Sequence, residues 1–305
     1  VEWVVTIEAN NNLNILPTLQ EIKDTIFSID PDNAPGSDGL NGKFYQSTWQ
    51  IIATDLYAAI ISFFQGAILP NFFSHTCIVM LPKVNSPQDF SEIRPISLCN
   101  TSCKIIAKLI NKRLSKILPN IISPNQSGFV KGRSITENVL LAQEIIRDMH
   151  LRSKETNVVV KLDMAKAYDR VDWIFLTKVL RKFGFSEVII DMVWRLISTN
   201  WYSVMINGQA HGFFHSTRGL KLGDPLSPTL FVIEAEVLSR SLKELNEHES
   251  FKGFGMPKWS PKINHLAYAD DTILFGSAER RSVVHMMKIL KEYERVSGQM
   301  INKDK

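Results

Sequence analysis

Apolar residues recur at helical spacing in several parts of the chain. One stretch carries four aliphatic residues at intervals of four, four and three, namely Ile106, Ile110, Leu114 and Ile117. This spacing places them on one face of a helix over about residues 102–118. The same pattern, with capping residues and helix-ending glycines, predicts further helices at about residues 18–28, 49–65, 134–150, 172–183, 186–198, 227–245 and 279–296.

Shorter runs rich in β-branched and other apolar residues predict strands at about residues 77–81, 93–98, 157–162, 201–206, 210–214, 266–269 and 272–275. Asn207-Gly208 joins two of them and is the strongest short hairpin signal in the chain. Only Asp270 and Asp271 separate the last two. Helices and antiparallel hairpins are mixed rather than regularly alternating, which predicts an α+β fold.

The composition bounds the class of protein without indicating a function. The 305 residues are 45% hydrophobic and 22% charged, which suits one large globular domain or two intimate subdomains. No apolar run approaches the ~20 residues that a membrane helix needs, so no membrane partner is expected. Three cysteines, Cys77, Cys99 and Cys103, are too few for a disulfide framework and favour a reducing, intracellular compartment.

The charge of the chain is mildly basic. A net charge of +4 and a pI of about 8.8 permit a polyanionic partner but do not require one. Within the predicted helix over residues 102–118, lysines recur every fourth residue and form one basic stripe, made of Lys104, Lys108, Lys112 and Lys116. The stripe has two interpretations, a solvated helix face or a contact with nucleic acid.

Three aspartates lie at the ends of apolar strands, where aspartate is depleted and costly to bury unpaired. Asp163 follows a valine-rich strand, and Asp270 and Asp271 sit between two apolar ones. If that hairpin lies beside the first strand, three carboxylates converge at one sheet edge. Each like-charge pair at ~4 Å then costs about 4 kcal/mol at an effective dielectric of ~20.

A pair of Mg²⁺ ions is the natural counter-charge for such a cluster, because hard divalent ions take carboxylate oxygens. Two ions ~3.5–4 Å apart can activate an attacking 3′-hydroxyl and stabilise the leaving pyrophosphate. The alternative interpretation of Asp270-Asp271 is a solvated turn pair. A calcium site is disfavoured, because the spaced acidic loop of a hand motif is absent from the sequence.

Seven blocks in and around these segments occur in an order typical of one protein family. They are APGSDG at 34–39, LPK to RPISL at 81–98, PNQSGFVKGR at 124–133, KLDMAKAYDRV at 161–171, GDPLSP at 223–228, YADD at 268–271 and SGQMINKDK at 297–305. Together they closely resemble the reverse transcriptases of LINE-type (non-LTR) retrotransposons, especially those of plants. The ordered set covers about residues 30–305 and is far more specific than any single block.

The resemblance implies a right-hand polymerase with an antiparallel palm sheet backed by helices. It implies a lead-in at residues 1–30, fingers at 31–156 and a palm at 157–305 with helices of the two interleaved. The family's thumb, endonuclease and RNase H segments are expected to lie outside residues 1–305. The implied activity is RNA-directed DNA polymerisation, in which a dNTP extends a DNA primer on an RNA template, and the implied location is the nucleus.

The resemblance also assigns roles to single residues. Asp163, Asp270 and Asp271 become the catalytic residues and hold two Mg²⁺ ions, which Mn²⁺ could replace. Lys83 and Arg94 match positions that grip the triphosphate of the incoming nucleotide, for which an ammonium and a planar guanidinium are suited. The alternative for Lys83 and Arg94 is a surface salt bridge.

Further residues match positions around the nucleotide and the template. Tyr168 matches an aromatic that packs under the sugar and excludes a 2′-hydroxyl, the group by which RNA and DNA differ. Gly223 and Lys305 also match nucleotide-binding positions. The alternative for Tyr168 is a tyrosine of the hydrophobic core, and the alternative for Gly223 is a glycine required only by the turn. Residues expected near the template or primer are Gly128, Gly132, Arg133, Leu222, Ser227, Pro228 and Tyr268.

Leu222 departs from the family, which usually carries glutamine just before the GDP run. A glutamine there could hydrogen-bond near the sugar and the template, and leucine cannot. The departure keeps a second hypothesis open, a catalytically decayed retroelement remnant that retains the fold and nucleic-acid binding. A group II intron maturase or an RNA-dependent RNA polymerase is disfavoured by the LINE-like blocks and by Tyr168.

Overall fold

The computed structural model describes residues 4–147, 149, 156–256 and 259–302. Its strands are β1 (Thr76–Pro82), β2 (Ile93–Cys99), β3 (Asn157–Leu162), β4 (Trp201–Ile206), β5 (Gln209–His215), β6 (His265–Tyr268) and β7 (Asp271–Ser277). Its helices are α1 (Ile7–Asn14), α2 (Leu19–Phe27), α3 (Gly42–Ser47), α4 (Trp49–Phe64), α5 (Asn71–Ser74), α6 (Thr101–Leu114), α7 (Leu118–Ile121), α8 (Ile135–Arg147), α9 (Ala167–Arg170), α10 (Trp173–Phe183), α11 (Glu187–Ser198), α12 (Ser227–Glu244) and α13 (Arg280–Ser297).

Every predicted helix and strand is present, and most ends agree to within one or two residues. The main exception is α6, which ends at Leu114 rather than near residue 118. The short helix α7 follows with Pro119 in its first turn, where the missing N–H of proline is tolerated. In the part of the chain that the structure describes, no helix is both long enough and apolar enough to cross a membrane.

The chain forms two compact units. The first comprises Val1–Val4, Ser115–Phe183 and Pro228–Lys305, and the second comprises Val5–Leu114 and Gly184–Ser227. These units cut the chain at different points from the boundaries predicted after residues 30 and 156, because residues 184–227 form a compact unit with residues 5–114. The predicted fingers and palm boundaries stay a prediction.

The sheet of the first unit is antiparallel and has the strand order β3-β7-β6. Its core includes Phe275 of β7 and Leu266 of β6, which pack with Ala142 and Ile145 of α8 and with Phe254. The apolar face of α8 is therefore buried against this sheet, as the predicted helix and strand patterns require.

The sheet of the second unit has the strand order β2-β1-β4-β5, with β1 and β4 parallel and both outer pairs antiparallel. The predicted hairpin turn between β4 and β5 is confirmed, since Asn207 and Gly208 both have positive φ, at +50° and +79°. That pair of conformations is what a tight two-residue hairpin turn demands.

Three lysines of the basic stripe have internal partners. Lys112 Nζ donates to Thr25 Oγ1 at 3.2 Å. Lys104 Nζ donates to the carbonyl of Ala34 at 2.7 Å, and Lys108 Nζ donates to that of Ser28 at 2.5 Å. Ser28 is the C-terminal cap of α2. The Lys108 ammonium therefore donates to a carbonyl at the C-terminus of α2 and interacts favourably with the negative end of the helix dipole. This part of the stripe therefore stabilises the second unit, a role that neither earlier interpretation included.

Candidate active site

The register of the sheet in the first unit brings the three aspartates to one edge. Leu162, the last residue of β3, lies opposite Thr272 of β7. Asp163 directly follows the first of these residues and Asp271 directly precedes the second, so both lie at the same end of the neighbouring strands. Asp270 occupies the turn that joins β6 to β7.

The turn itself lies one residue earlier than predicted. Tyr268 pairs with Asp271, so the two residues outside the ladder are Ala269 and Asp270 rather than the two aspartates. Ala269 has a φ of +54°, in the left-handed region that non-glycine residues rarely adopt. The sequence pattern suggested two turn-forming aspartates, whereas strand pairing extends the ladder to include Asp271.

The carboxylates influence one another electrostatically. The pKa of Asp270 is raised above its usual value, chiefly by burial and further by the charges of Asp271 and Asp163, while a backbone hydrogen bond partly offsets the shift. Asp271 forms an ion pair with Lys161 at 3.3 Å, and both side chains are exposed. The Asp163 carboxylate accepts a hydrogen bond from Asn302 Nδ2 at 3.3 Å.

The donor set fits a hard divalent cation. Within the described ranges, no three His, Cys, Asp or Glu side chains already form a group tight enough to hold a metal ion. Each of the three carboxylates offers oxygen ligands of the kind that hard divalent cations take.

The closing segment of the chain holds Asp163 in place. The backbone N–H of Asn302 donates to the carbonyl of Asp163 at 2.8 Å, and that of Ala165 donates to the carbonyl of Met300 at 2.8 Å. Met164 and Ile301 form an antiparallel bridge between these two contacts. Sequence reasoning did not identify this pairing or Asn302. The predicted nucleotide contact of Lys305 lies outside the described residues.

Tyr168 lies beside this edge with its ring held from one side. It stacks on Phe231 of α12, with ring centroids 5.1 Å apart and planes 16° from parallel. Burial, together with the charge of Asp270, raises the pKa of Tyr168 to about 12. The tyrosine is thus neutral, half-buried and near a predicted metal ligand, and its contact with a nucleotide sugar stays a prediction.

A buried acid, Glu234 of α12, is linked through hydrogen bonds to the segment that carries Tyr168. The Glu234 side chain is fully buried and accepts hydrogen bonds from Tyr293 Oη at 3.1 Å and Gln299 Nε2 at 3.4 Å. Gln299 Nε2 also donates to the carbonyl of Ala167 at 3.0 Å, next to the tyrosine. Burial raises the pKa of Glu234 to about 8. A glutamate in the apolar run LFVIEAEVL was the available signal, and sequence reasoning missed it.

Lys83 and Arg94 lie in the second unit on the hairpin formed by β1 and β2. Arg94 pairs with Leu81, and the backbone N–H of Lys83 donates to the carbonyl of Glu92 at 2.7 Å, which extends the hairpin. The Lys83 ammonium donates to the carbonyl of Ser91 at 2.7 Å. Both predicted triphosphate-binding side chains are exposed. Their contact with a nucleotide stays a prediction.

The loop that contains Leu222 is fixed within the second unit. The carbonyl of Leu222 accepts a hydrogen bond from the Ser97 backbone N–H at 3.0 Å. Gly223 follows with a φ of +101°, a conformation that favours glycine. The buried ammonium of Lys221 lies 3.8 Å from the Asp224 carboxylate. This loop leads to Ser227, which is buried, and to Pro228 in the first turn of α12.

The residues of the first unit that are predicted to lie near the template differ in their surroundings and exposure. Arg133 donates to the carbonyls of Gln126 and Ile122, each at 2.7 Å, so its guanidinium helps to hold its own segment. Gly132 has a φ of +84° and open space around it. Tyr268 is 39% exposed at the end of β6. Their template contacts, like that of Gly128, stay predictions.

Comparison with known proteins places this arrangement in a family. The family described as reverse transcriptase (RNA-dependent DNA polymerase) matches residues 81–305. The Transposon TX1 uncharacterized 149 kDa protein of Xenopus laevis is 28% identical over 271 residues, which cover 89% of this chain and 20% of that protein. The Retrovirus-related Pol polyprotein from type-2 retrotransposable element R2DM of Drosophila melanogaster is 26% identical over 293 residues, which cover 94% of this chain and 26% of that protein.

A solved structure of apo telomerase from Candida tropicalis, truncated from its C-terminal domain, superposes with a TM-score of 0.55. The match covers 89% of this chain and 57% of that one at 15% identity, and therefore shows the fold alone. Fold and carboxylate edge together define a polymerase-type α+β domain. The chain belongs to the reverse transcriptase family, whose members generally use divalent metal ions.

The predicted α+β fold and the resemblance to non-LTR reverse transcriptases are confirmed by these matches. The chain spans only a fifth to about a quarter of the length of the two curated relatives described above, 20% and 26%.

Proposed function

We propose that this chain is the RNA-directed DNA polymerase domain of a plant LINE-type retrotransposon protein. It transfers a nucleotide from a dNTP to the 3′-hydroxyl of a DNA primer on an RNA template, in the nucleus. The observation that supports this most is the placement of Asp163, Asp270 and Asp271 at one sheet edge, within a chain of the reverse transcriptase family. The seven ordered sequence blocks support the plant LINE assignment.

The three aspartates are the ligands of two Mg²⁺ ions in this proposal, and Mn²⁺ can replace them. Bound ions would lower the barrier to attack by the 3′-hydroxyl and stabilise the leaving pyrophosphate. The protein's contribution is positioning. The closing segment fixes the backbone of Asp163, and the β6–β7 turn directs Asp270 and Asp271.

Sugar selection is assigned to Tyr168. Its ring is held against Phe231, so it cannot retreat freely from a 2′-hydroxyl above it. Lys83 and Arg94 are proposed to bind the triphosphate, because both are exposed cations on one hairpin. Gly223 permits close approach of backbone to the nucleotide. The template and primer are proposed to run past Gly128, Gly132, Arg133, Leu222, Ser227, Pro228 and Tyr268.

The direct test is primer extension with a DNA primer, an RNA template, four dNTPs and Mg²⁺. The protein is expected to extend the primer, and Asp270→Asn is expected to abolish extension, because an amide cannot replace a carboxylate as a charged ligand. Glu137→Gln, an exposed acid of α8 in the same unit, is the matched control. Equal extension by the unaltered protein and Asp270→Asn would remove the assignment.

A second candidate function, nucleic-acid binding without catalysis, is favoured by one observation. Leu222 offers no side-chain hydrogen bond at a position where the resemblance to LINE-type reverse transcriptases implies glutamine. Extension that begins only in Leu222→Gln, with salt-dependent RNA binding by both forms, would identify a decayed polymerase. Extension by the unaltered protein would exclude this candidate.

A further inference from the structure

Residues 125–128 run alongside β6 in the first unit. The backbone N–H of Ala267 donates to the carbonyl of Asn125 at 2.8 Å, and that of Ser127 donates to the carbonyl of Ala267 at 3.0 Å. Gln126 and Ala267 form a parallel bridge between these contacts. This short ladder places the side chain of Gln126 at the turn that carries Asp270.

The side-chain amide of Gln126 holds the backbone of Ala269 through both of its polar atoms. Its Oε1 accepts the Ala269 N–H at 2.9 Å, and its Nε2 donates to the Ala269 carbonyl at 3.1 Å. The same Oε1 accepts the Gly128 N–H at 2.7 Å. Gln126 is 3% exposed, so water does not compete for these hydrogen bonds.

Ala269 needs such a support because of its conformation. Its φ of +54° is disfavoured for alanine, roughly 5–30-fold relative to ordinary backbone regions. Gly128 allows the close approach that the support requires, since a Cβ at that position would lie 2.4 Å from the Ala269 nitrogen. Arg133 in turn holds the Gln126 carbonyl at 2.7 Å.

We propose that Gln126 is a positioning residue of the active site. Its amide keeps Ala269 in the left-handed region, and this conformation sets the directions in which the Asp270 and Asp271 carboxylates leave the turn. The inference rests on the proposed function for its catalytic consequence. The clamp on Ala269 itself can be measured without catalysis.

The first test is hydrogen exchange at the Ala269 amide in Gln126→Met, which keeps a side chain of similar length and removes the amide. Exchange is expected to accelerate, because the Ala269 N–H loses its acceptor. The control is Asn157→Leu, another buried amide of the same unit, which accepts the Gly255 N–H at 2.9 Å. It should leave the Ala269 amide protected. Unchanged exchange in Gln126→Met would overturn the proposal.

The second test is single-nucleotide incorporation with a rescue. Gln126→Met should lower the rate roughly 5–30-fold, the factor by which alanine disfavours this conformation. The same change made on top of Ala269→Gly should cost far less, because glycine adopts positive φ readily. An equal loss in both backgrounds would overturn the proposal, since a general packing defect would not depend on residue 269.

The two tests separate this inference from the proposed function. Absence of extension by the unaltered protein would contradict the proposed function, and the exchange measurement would still decide whether Gln126 holds Ala269. Extension by the unaltered protein with no effect of Gln126→Met on rate or exchange would contradict the inference alone.

Discussion

Glu234→Gln is expected to remove a pH dependence of stability from the first unit. Burial raises the pKa of Glu234 to about 8 in the folded state, from the ordinary value of 4.5 for a glutamate. Between these values the folded protein keeps the proton and the unfolded chain releases it. The free energy of unfolding therefore falls as pH rises through this window, and the loss levels off above pH 8.

The magnitude follows from the size of the shift. Each pKa unit corresponds to about 1.4 kcal/mol, so the full window from 4.5 to about 8 corresponds to about 5 kcal/mol. Between pH 5.5 and pH 8.0 the contribution of Glu234 should fall by about 3 kcal/mol. That is a large fraction of the 5–15 kcal/mol that is typical of whole domains.

The glutamine variant should keep the local hydrogen bonds without the titration. Its carbonyl can accept from Tyr293, and its amide can donate to Gln299 Oε1, which is buried and has no hydrogen-bond partner among the described residues. Urea denaturation at pH 5.5 and 8.0 gives the free energy of unfolding for each form. Glu244→Gln, an exposed acid on the same helix, is the control.

The expected outcome is a Glu234→Gln variant whose stability, relative to the unaltered protein, rises by about 3 kcal/mol between pH 5.5 and pH 8.0. The exposed control should show no such rise. If the free energies of unfolding of Glu234→Gln and the unaltered protein differ by the same amount at both pH values, a buried, protonated Glu234 does not couple folding to pH.

Two further outcomes follow from the described contacts. Tyr168→Ala should raise the ratio of rNTP to dNTP incorporation by about 10-fold or more, measured as kcat/KM, while Tyr168→Phe should not, because the ring provides the exclusion. Arg113→Met should lower the free energy of unfolding in urea by about 2 kcal/mol, because it removes the donor to the buried Leu13 carbonyl and the bidentate partner of the half-buried Glu21 carboxylate.

Local sequence patterns predicted the seven strands and the eight longer helices of the described residues, but not the short helices α1, α3, α5, α7 and α9. Helices and strands follow from apolar periodicity, and the β4–β5 turn follows from Asn207-Gly208, because these signals act over a few residues. The positions of Asp163 and Asp270 at the ends of apolar strands were predictable for the same reason, whereas their convergence at one edge depended on an assumed pairing of β3 with the β6–β7 hairpin, which the structure shows. Here local preference and tertiary pairing agree.

Contacts between distant segments were not predictable from the same patterns. Asn302 and Asp163 are 139 residues apart in sequence, and Gln126 and Ala269 are 143 apart. Spacing within a helix or strand says nothing about which remote segment lies beside it. The left-handed conformation of Ala269 was hidden for a related reason, because alanine disfavours it and hydrogen bonds from the remote Gln126 support it.

In the proposed function, three carboxylates at one sheet edge hold the metal ions of nucleotidyl transfer. The most direct measurement is the number of Mn²⁺ ions bound per protein in the presence of primer–template and a non-hydrolysable dNTP, determined by electron paramagnetic resonance of free Mn²⁺. We expect about two ions for the unaltered protein and for Glu144→Gln, an exposed acid of α8, with loss of binding in Asp163→Asn and Asp270→Asn. An ion count that neither aspartate variant changes would contradict this expectation.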